Sequence, residues 1–212
     1  MSKSGRIFVF DGPDGVGKTT QIELTKEFLE SEGHEVFVIR ASGGTAIGQK
    51  LREVSLSDAE RPPEVDVYIS LAMHTAVGKE IQKQKAAGKI CLVDRSPMAV
   101  IAYNLHGSQL ADEKLAINAF NTLMELWSPD AIFYINAGQD IVEERREDRQ
   151  KASDYFEKQG HQYHMRVRTG YEHAIQLLQK SSFASSLISI DGSPAVKEVQ
   201  DSIQEKLKNL LS

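Results

Sequence analysis

The stretch from Arg6 to Thr20, RIFVFDGPDGVGKTT, holds residues whose types and spacing could grip a phosphate chain. The apolar run Ile7-Phe8-Val9-Phe10 stops at Asp11-Gly12. Gly12-x-x-x-x-Gly17-Lys18-Thr19 then leads into a helix-forming segment, so strand, loop and helix stand in the order a P-loop requires. Glycine at 12, 15 and 17 lets backbone N–H groups close around oxygens without a Cβ in the way, and Val16 to Thr20 carries the chain into a helix whose positive end favours anions. Lys18 is expected on the outer phosphates and Thr19 on Mg²⁺. Chance would set these residue types at these offsets in about 1 in 100 chains of this length, and the flanking strand and helix lower that further.

A second candidate lies at Lys89 to Val93 (KICLV), a short apolar strand that delivers Asp94-Arg95-Ser96-Pro97 at its carboxyl end. An acid at the tip of a fully apolar strand can stand beside the P-loop magnesium. The competing reading is a helix cap, since Pro97 suits a first helical turn. A third is Ile141 to Lys151, IVEERREDRQK, where Arg145, Arg146, Arg149 and Lys151 alternate with acids. Glu–Arg pairs on a solvated helix face would explain it. Its place after the fourth strand also suits a basic segment that closes over a γ-phosphate and excludes water. His161, His164 and His173 share one segment, but their spacing lacks the Cys or carboxylate support of a zinc site and reads as surface or packing.

The elements that must position these groups follow from periodicity. Thr19 to Glu32 has mostly helical apolar spacing, with Gly33 as its cap, and Glu35 to Arg40 is a second strand. A Ser42-Gly43-Gly44-Thr45 turn leads to a helix from about Ile47, and a long helix spans Val65 to Ala87. Ala111 to Leu126 is amphipathic, Ala131 to Ile135 is the fourth strand, and a helix runs to about Gln179. Leu187 to Ile190 is a fifth strand and Pro194 to Leu211 a last helix. Strands alternating with helices imply a parallel α/β sheet covered on both faces. At 212 residues the chain fits a single domain. With 25 Lys+Arg against 30 Asp+Glu, the net charge of -5 argues against a nucleic-acid polymer or an anionic membrane as partner and leaves a nucleotide-sized ligand. One cysteine, Cys91, and no apolar run near ~20 residues lead to a cytoplasmic expectation, with no leader at the N-terminus and no membrane span.

Several segments together resemble the thymidylate kinase family of nucleoside-monophosphate kinases. Phe10 through Gln21 is similar to that family's P-loop, in which an acid at the position of Asp14 contacts the acceptor sugar. Arg40-Ala41-Ser42-Gly43-Gly44-Thr45 is similar to its Arg-Glu-Pro-Gly-Gly-Thr segment. Asp94-Arg95 followed by Ala102-Tyr103-Asn104 resembles its Asp-Arg-Tyr and Ala-Tyr-Gln elements. Ser128-Pro129-Asp130, Asp154-Tyr155-Phe156-Glu157 and Tyr163 through Arg168 to Tyr171 match its later pattern. The resemblance implies a five-stranded sheet in the order 2-3-1-4-5, ATP with Mg²⁺ as donor, a homodimer, and a lid over about residues 145–164. It also implies roles: Arg40 and Arg95 on the acceptor phosphate, Tyr103 and Asn104 at the acceptor, Thr19 and Asp94 at the metal. Because Gly15 stands where some members carry a catalytic arginine, Arg145 and Arg149 of the lid are expected to supply that charge.

The resemblance breaks at the base. The family's long helix offers an aromatic ring for thymine and, four residues later, an arginine; counting back from Gly88-Lys89 puts these at Ile69 and Met73, or at Tyr68 and Ala72 one residue earlier. The paired polar residues after Asp-Arg become Ala99-Val100, and Glu-Pro becomes Ala41-Ser42. Polar readout carries the larger discrimination. The expectation is therefore phosphorylation of a pyrimidine deoxynucleoside monophosphate, dTMP by default, in nucleotide synthesis. A different acceptor (another or modified deoxynucleotide, or a nucleoside) and a non-kinase P-loop switch stand as alternatives.

Overall fold

The structure is a computed structural model that describes residues 5–138, 140–142, 145 and 160–212. Five strands form one parallel sheet: β1 Arg6–Asp11, β2 Val36–Arg40, β3 Ile90–Asp94, β4 Ala131–Asn136 and β5 Leu187–Asp191, ordered β2-β3-β1-β4-β5. The central strand β1 pairs Arg6 to Phe10 with Ile90 to Asp94 on one side, and Phe8 to Asp11 with Ala131 to Tyr134 on the other. Asp11 and Asp94 therefore reach the same carboxyl edge. β1 has neighbours on every side, and its alternation shows which layer each residue serves. Ile7 and Val9 pack into one core while Phe8 and Phe10 pack into the other. Strands buried on both faces read as continuous apolar runs, the signal by which they were expected.

The first core lies under helices α3 (Pro63–Ala86), α4 (Glu113–Trp127) and α5 (His161–Gln179), which contribute Val77, Ile81, Phe120, Trp127 and Tyr171. The second lies under α1 (Lys18–Ser31) and α6 (Val196–Leu211), through Ile22, Leu29, Ile203 and Leu207. Each such side chain, fully buried, contributes roughly 1.5–3 kcal/mol. Helix α2 (Ala46–Ser55) starts at Thr45, whose hydroxyl accepts the Gly48 N–H at 3.0 Å. Asp112 caps α4 likewise from Leu115 N–H at 2.9 Å. The long α3 begins with Pro63 in its first turn and ends before Gly88, whose φ of +85° lets the chain turn into β3.

Between β3 and α4 the chain forms a π-helix, Val100–Gly107, shortly after Pro97, whose fit to a first helical turn was the competing reading. Its widened turns are visible in the bonds Ser108 N–H to Tyr103 O (2.8 Å) and Leu110 N–H to Leu105 O (3.0 Å). Helix α5 packs against it at Gly170, where a Cβ would stand 2.6 Å from the Ala102 Cα. Of the expected lid, Arg145 and residues 160–164 are described; Arg146, Arg149 and the Asp154 to Glu157 segment lie outside the described residues.

Candidate active site

The carboxyl edge of β1 sets the geometry of the site. Gly12 follows with φ +138°, and any Cβ there would fall 2.0 Å from the Ile135 carbonyl oxygen, so the loop can leave the sheet only through glycine. Gly15 and Gly17 also have positive φ, at +91° and +97°. Lys18 opens α1 and turns back, its Nζ donating to the Gly12 carbonyl at 2.8 Å and the Pro13 carbonyl at 2.7 Å. Burial, with the Arg95 charge second, lowers its pKa to about 8 against the pull of Asp14, Asp94 and Asp11. The ammonium is thus wrapped by the backbone of its own loop. Thr19 and Thr20 are exposed at the start of the same helix.

Asp94 ends β3 beside this loop. Its Oδ1 is buried and has no hydrogen-bond partner among the described residues. A carboxylate oxygen so placed needs a cation or a donor brought from outside. With the Thr19 hydroxyl it makes an oxygen donor pair of the kind hard divalent cations take, so these two residues fit Mg²⁺. Among the described residues no group of three or more His, Cys, Asp or Glu could hold a metal ion by itself.

Arg95 comes next with φ +75°, a left-handed conformation that a side chain of this size adopts only under constraint. The constraint is visible. Its backbone N–H donates to the Phe10 carbonyl at 2.8 Å, and its guanidinium donates to Asp14, to the Tyr103 hydroxyl at 2.9 Å and to the Tyr171 hydroxyl at 3.0 Å. Tyr103 donates in turn to Asp14 Oδ2 at 2.7 Å, and Tyr171 to Asp11 Oδ1 at 2.9 Å. Asp11 also accepts from the Ser96 hydroxyl and, at 2.8 Å, from the Gly12 N–H. Burial pushes both phenols well above their ordinary pKa, so they stay neutral and keep donating. One connected network therefore joins β1, the P-loop, the turn after β3, the π-helix and α5.

Beside this network a hollow is lined by Asp14, Arg40, Arg95, Tyr103, Asn104 and, from α3, Ser70, Met73 and His74. Of the residues singled out in the sequence, Asp14, Arg40, Met73, Arg95, Tyr103 and Asn104 meet here. Ile69 does not line it; Ser70 does. Tyr68, the other candidate for the base, is 57% exposed. Arg52, which donates to the Ser42 hydroxyl at 2.7 Å, also faces the hollow, and neither it nor His74 nor Tyr171 was given a role by sequence. A hint existed only for Tyr171, inside the Tyr163 to Tyr171 pattern.

Arg145 stands elsewhere. Its guanidinium donates to the carbonyls of Gly192 (2.8 Å), Pro194 (3.3 Å) and Ser193 (3.4 Å), in a separate hollow of about 210 Å³ shared with Gly15, Gly17 and Thr20. Lys18 does not line that hollow. Among the described residues, concavities flank the P-loop on the Asp14 side and toward the turn between β5 and α6.

Comparison with known proteins agrees with this geometry. A family model described as thymidylate kinase matches residues 10–203. A thymidylate kinase from Nostoc punctiforme is 32% identical over 210 residues, covering 96% of both chains. One from a Thermoanaerobacter species is 31% identical over 210 residues, covering 98% of this chain and 99% of that one. In fold, the chain superposes on a crystal structure of thymidylate kinase from Ehrlichia chaffeensis with a TM-score of 0.72 at 23% identity, over 97% of this chain and 99% of the other. A sheet in the order β2-β3-β1-β4-β5, a phosphate loop at its centre and a match running nearly end to end assign the chain to the thymidylate kinase family of nucleoside-monophosphate kinases.

Proposed function

We propose that the protein transfers the γ-phosphoryl group of ATP to the 5′-phosphate of a pyrimidine deoxynucleoside monophosphate, with dTMP as the acceptor. The observation that carries this is Arg95: a buried guanidinium, held by Asp14 and two tyrosines, at the mouth of a hollow that opens beside the P-loop. A kinase acting on a monophosphate needs a fixed cation for the acceptor's phosphate, and Arg95 with Arg40 supplies it. A nucleotide switch has no use for that pocket, which favours the kinase reading.

Each side chain then has a task. The P-loop amides and Lys18 cradle the β- and γ-phosphates; on binding, Lys18 trades the Gly12 and Pro13 carbonyls for phosphate oxygens and follows the group in flight. Asp94 and Thr19 would hold Mg²⁺, which supplies charge neutralisation on the phosphates when bound. Asp14, bound to Arg95 and Tyr103, would contact the acceptor sugar. Arg145, anchored to the turn after β5, borders the hollow where the P-loop's far side would meet the donor nucleoside, so we assign it to holding the donor rather than to the reacting phosphoryl group. A lid over residues 145–164 carrying Arg149 belongs to the same proposal, as does a homodimer. The dimer is supported by exposed apolar side chains on α2 and α3, Ile47 and Val54 with Val65 and Tyr68. No described helix is long and apolar enough to cross a membrane. A cytoplasmic site of action is inferred from the lone buried thiol of Cys91.

The test is turnover. Lys18→Ala should remove phosphoryl transfer to dTMP by at least ~10²-fold while circular dichroism stays that of the parent. Retained turnover in a coupled assay would overturn the assignment.

A further inference from the structure

His74 is 3% exposed on the inner face of α3, one position after Met73, and is among the residues that line the acceptor hollow. The ring Nδ1 faces the Ser70 carbonyl oxygen at 2.7 Å. A carbonyl only accepts, so Nδ1 carries the proton. Burial lowers the imidazole's pKa, outweighing the carbonyls of Ser70 and Ser96 and the carboxylate of Asp11, with the Arg95 charge on the same side as burial. The neutral ring therefore leaves Nε2 as a bare lone pair. That nitrogen is buried and has no hydrogen-bond partner among the described residues. The ring packs 5.7 Å from the Trp127 ring, whose Nε1 donates to the His74 backbone carbonyl at 2.9 Å.

Three of its neighbours in the hollow offer it no donor. Met73 and Ala99 offer no side-chain donor, and the Ser70 hydroxyl spends its hydrogen on Asn104 Oδ1 at 3.0 Å. That bond also orients the amide of Asn104, leaving its Nδ2 hydrogens for a ligand. The α3 wall and the residue facing it thus present one acceptor and one donor. Thymine and uracil carry the matching edge, a ring carbonyl beside N3–H. Cytosine carries the reverse, an amine beside an N3 lone pair.

We propose that His74 is a specificity-determining residue of the acceptor site, accepting N3–H of a thymine-type base at Nε2 and repelling the N3 lone pair of cytosine, with Asn104 donating to the adjacent carbonyl. The proposal rests on reading this hollow as the acceptor site. It accounts for how the chain reads a base without an arginine at 73 or polar side chains at 99 and 100. The discrimination comes as much from the penalty on the wrong base as from the bond to the right one.

The experiment compares kcat/KM for dTMP, dUMP and dCMP, with ATP and magnesium, in the full chain; dUMP and dCMP differ only at the edge in question. The parent protein should favour dTMP and dUMP over dCMP by on the order of 100-fold. His74→Phe keeps the ring's bulk but has no lone pair, and should bring the dUMP-to-dCMP ratio to within about fivefold, chiefly by loss on dUMP. His74→Gln, whose amide can turn to offer either oxygen or hydrogens, should keep dUMP and gain dCMP. A parent protein that uses dUMP and dCMP alike, or a folded Phe or Gln variant that keeps the parental ratio, overturns the proposal. A parent that phosphorylates none of the three overturns the acceptor-site reading itself, and this inference with it.

Discussion

Lys18 is the residue whose charge is least at ease before substrate arrives. Its pKa falls from 10.5 to about 8, so an ammonium held in the folded protein at neutral pH costs about 3 kcal/mol. The unfolded chain binds this proton up to its ordinary pKa. Between about pH 8 and 10.5 the unfolded state therefore holds more protons than the folded one, and stability from this group rises with pH across that window. A triphosphate reverses the situation by raising the lysine back toward its usual value. ATP binding at pH 8 should consequently take up about half a proton, read as a difference in calorimetric enthalpy between buffers of unlike ionisation heat, and Lys18→Met should abolish that uptake. At this scale the sequence was informative where function is local. Lys18 and Thr19 declare themselves by spacing and Asp14 through the family resemblance, whereas the bond of Tyr171 to Asp11, 160 positions away, follows from no local spacing. Arg52 and His74 were equally hidden, since a residue on an amphipathic helix shows which face is buried and not which neighbour it meets.

Helix α5 and the π-helix are the elements that the active-site network borrows for alignment. Tyr171 of α5 accepts from Arg95 and donates to Asp11, so its hydroxyl links this helix to both the Arg95 guanidinium and the first amide of the P-loop. Tyr171→Phe removes that link without a change of bulk. It should raise KM for the acceptor by about tenfold while leaving KM for ATP near the parental value, and lower stability by about 1–2 kcal/mol because a buried carboxylate loses a donor. Equal loss on both substrates would assign the tyrosine to general packing instead. The π-helix itself was not legible. Val100 to Gly107 is a mostly apolar run with no periodicity that separates a widened helix from a strand or a buried α-helix, and its close approach to Gly170 is a tertiary contact with no local signal. By contrast α1 and α3 were readable because glycines 33 and 88, both at positive φ, mark where they must stop.

Across the whole molecule the two edges of the sheet do different work. Strand order was legible only through the family resemblance, because the apolar runs of β1, β3 and β4 share one pattern that does not rank them. Chemistry gathers at the carboxyl edge, around Asp11, Asp94 and Arg40. The amino edge is closed by Asp130, which accepts from Arg6 Nη1 at 3.1 Å, from Lys85 Nζ at 2.8 Å and from the Ile7 N–H at 2.8 Å, tying β1, α3 and the entry to β4 together. Burial alone would push this carboxyl up. The donors from Lys85, Ile7 and Arg6 outweigh it and hold the pKa below the ordinary value. A carboxylate depressed in the folded state contributes stability above its unfolded pKa of 3.8 and loses it as pH falls through the folded value. Asp130→Asn should thus lower stability by about 1 kcal/mol at pH 7, partly exposed ion pairs being weak, with the deficit shrinking in acid below the carboxylate range. Because the knot lies at the edge away from the phosphate loop, kcat and both KM values should stay parental, and a variant that lost activity at unchanged stability would show that the two edges are coupled through β1.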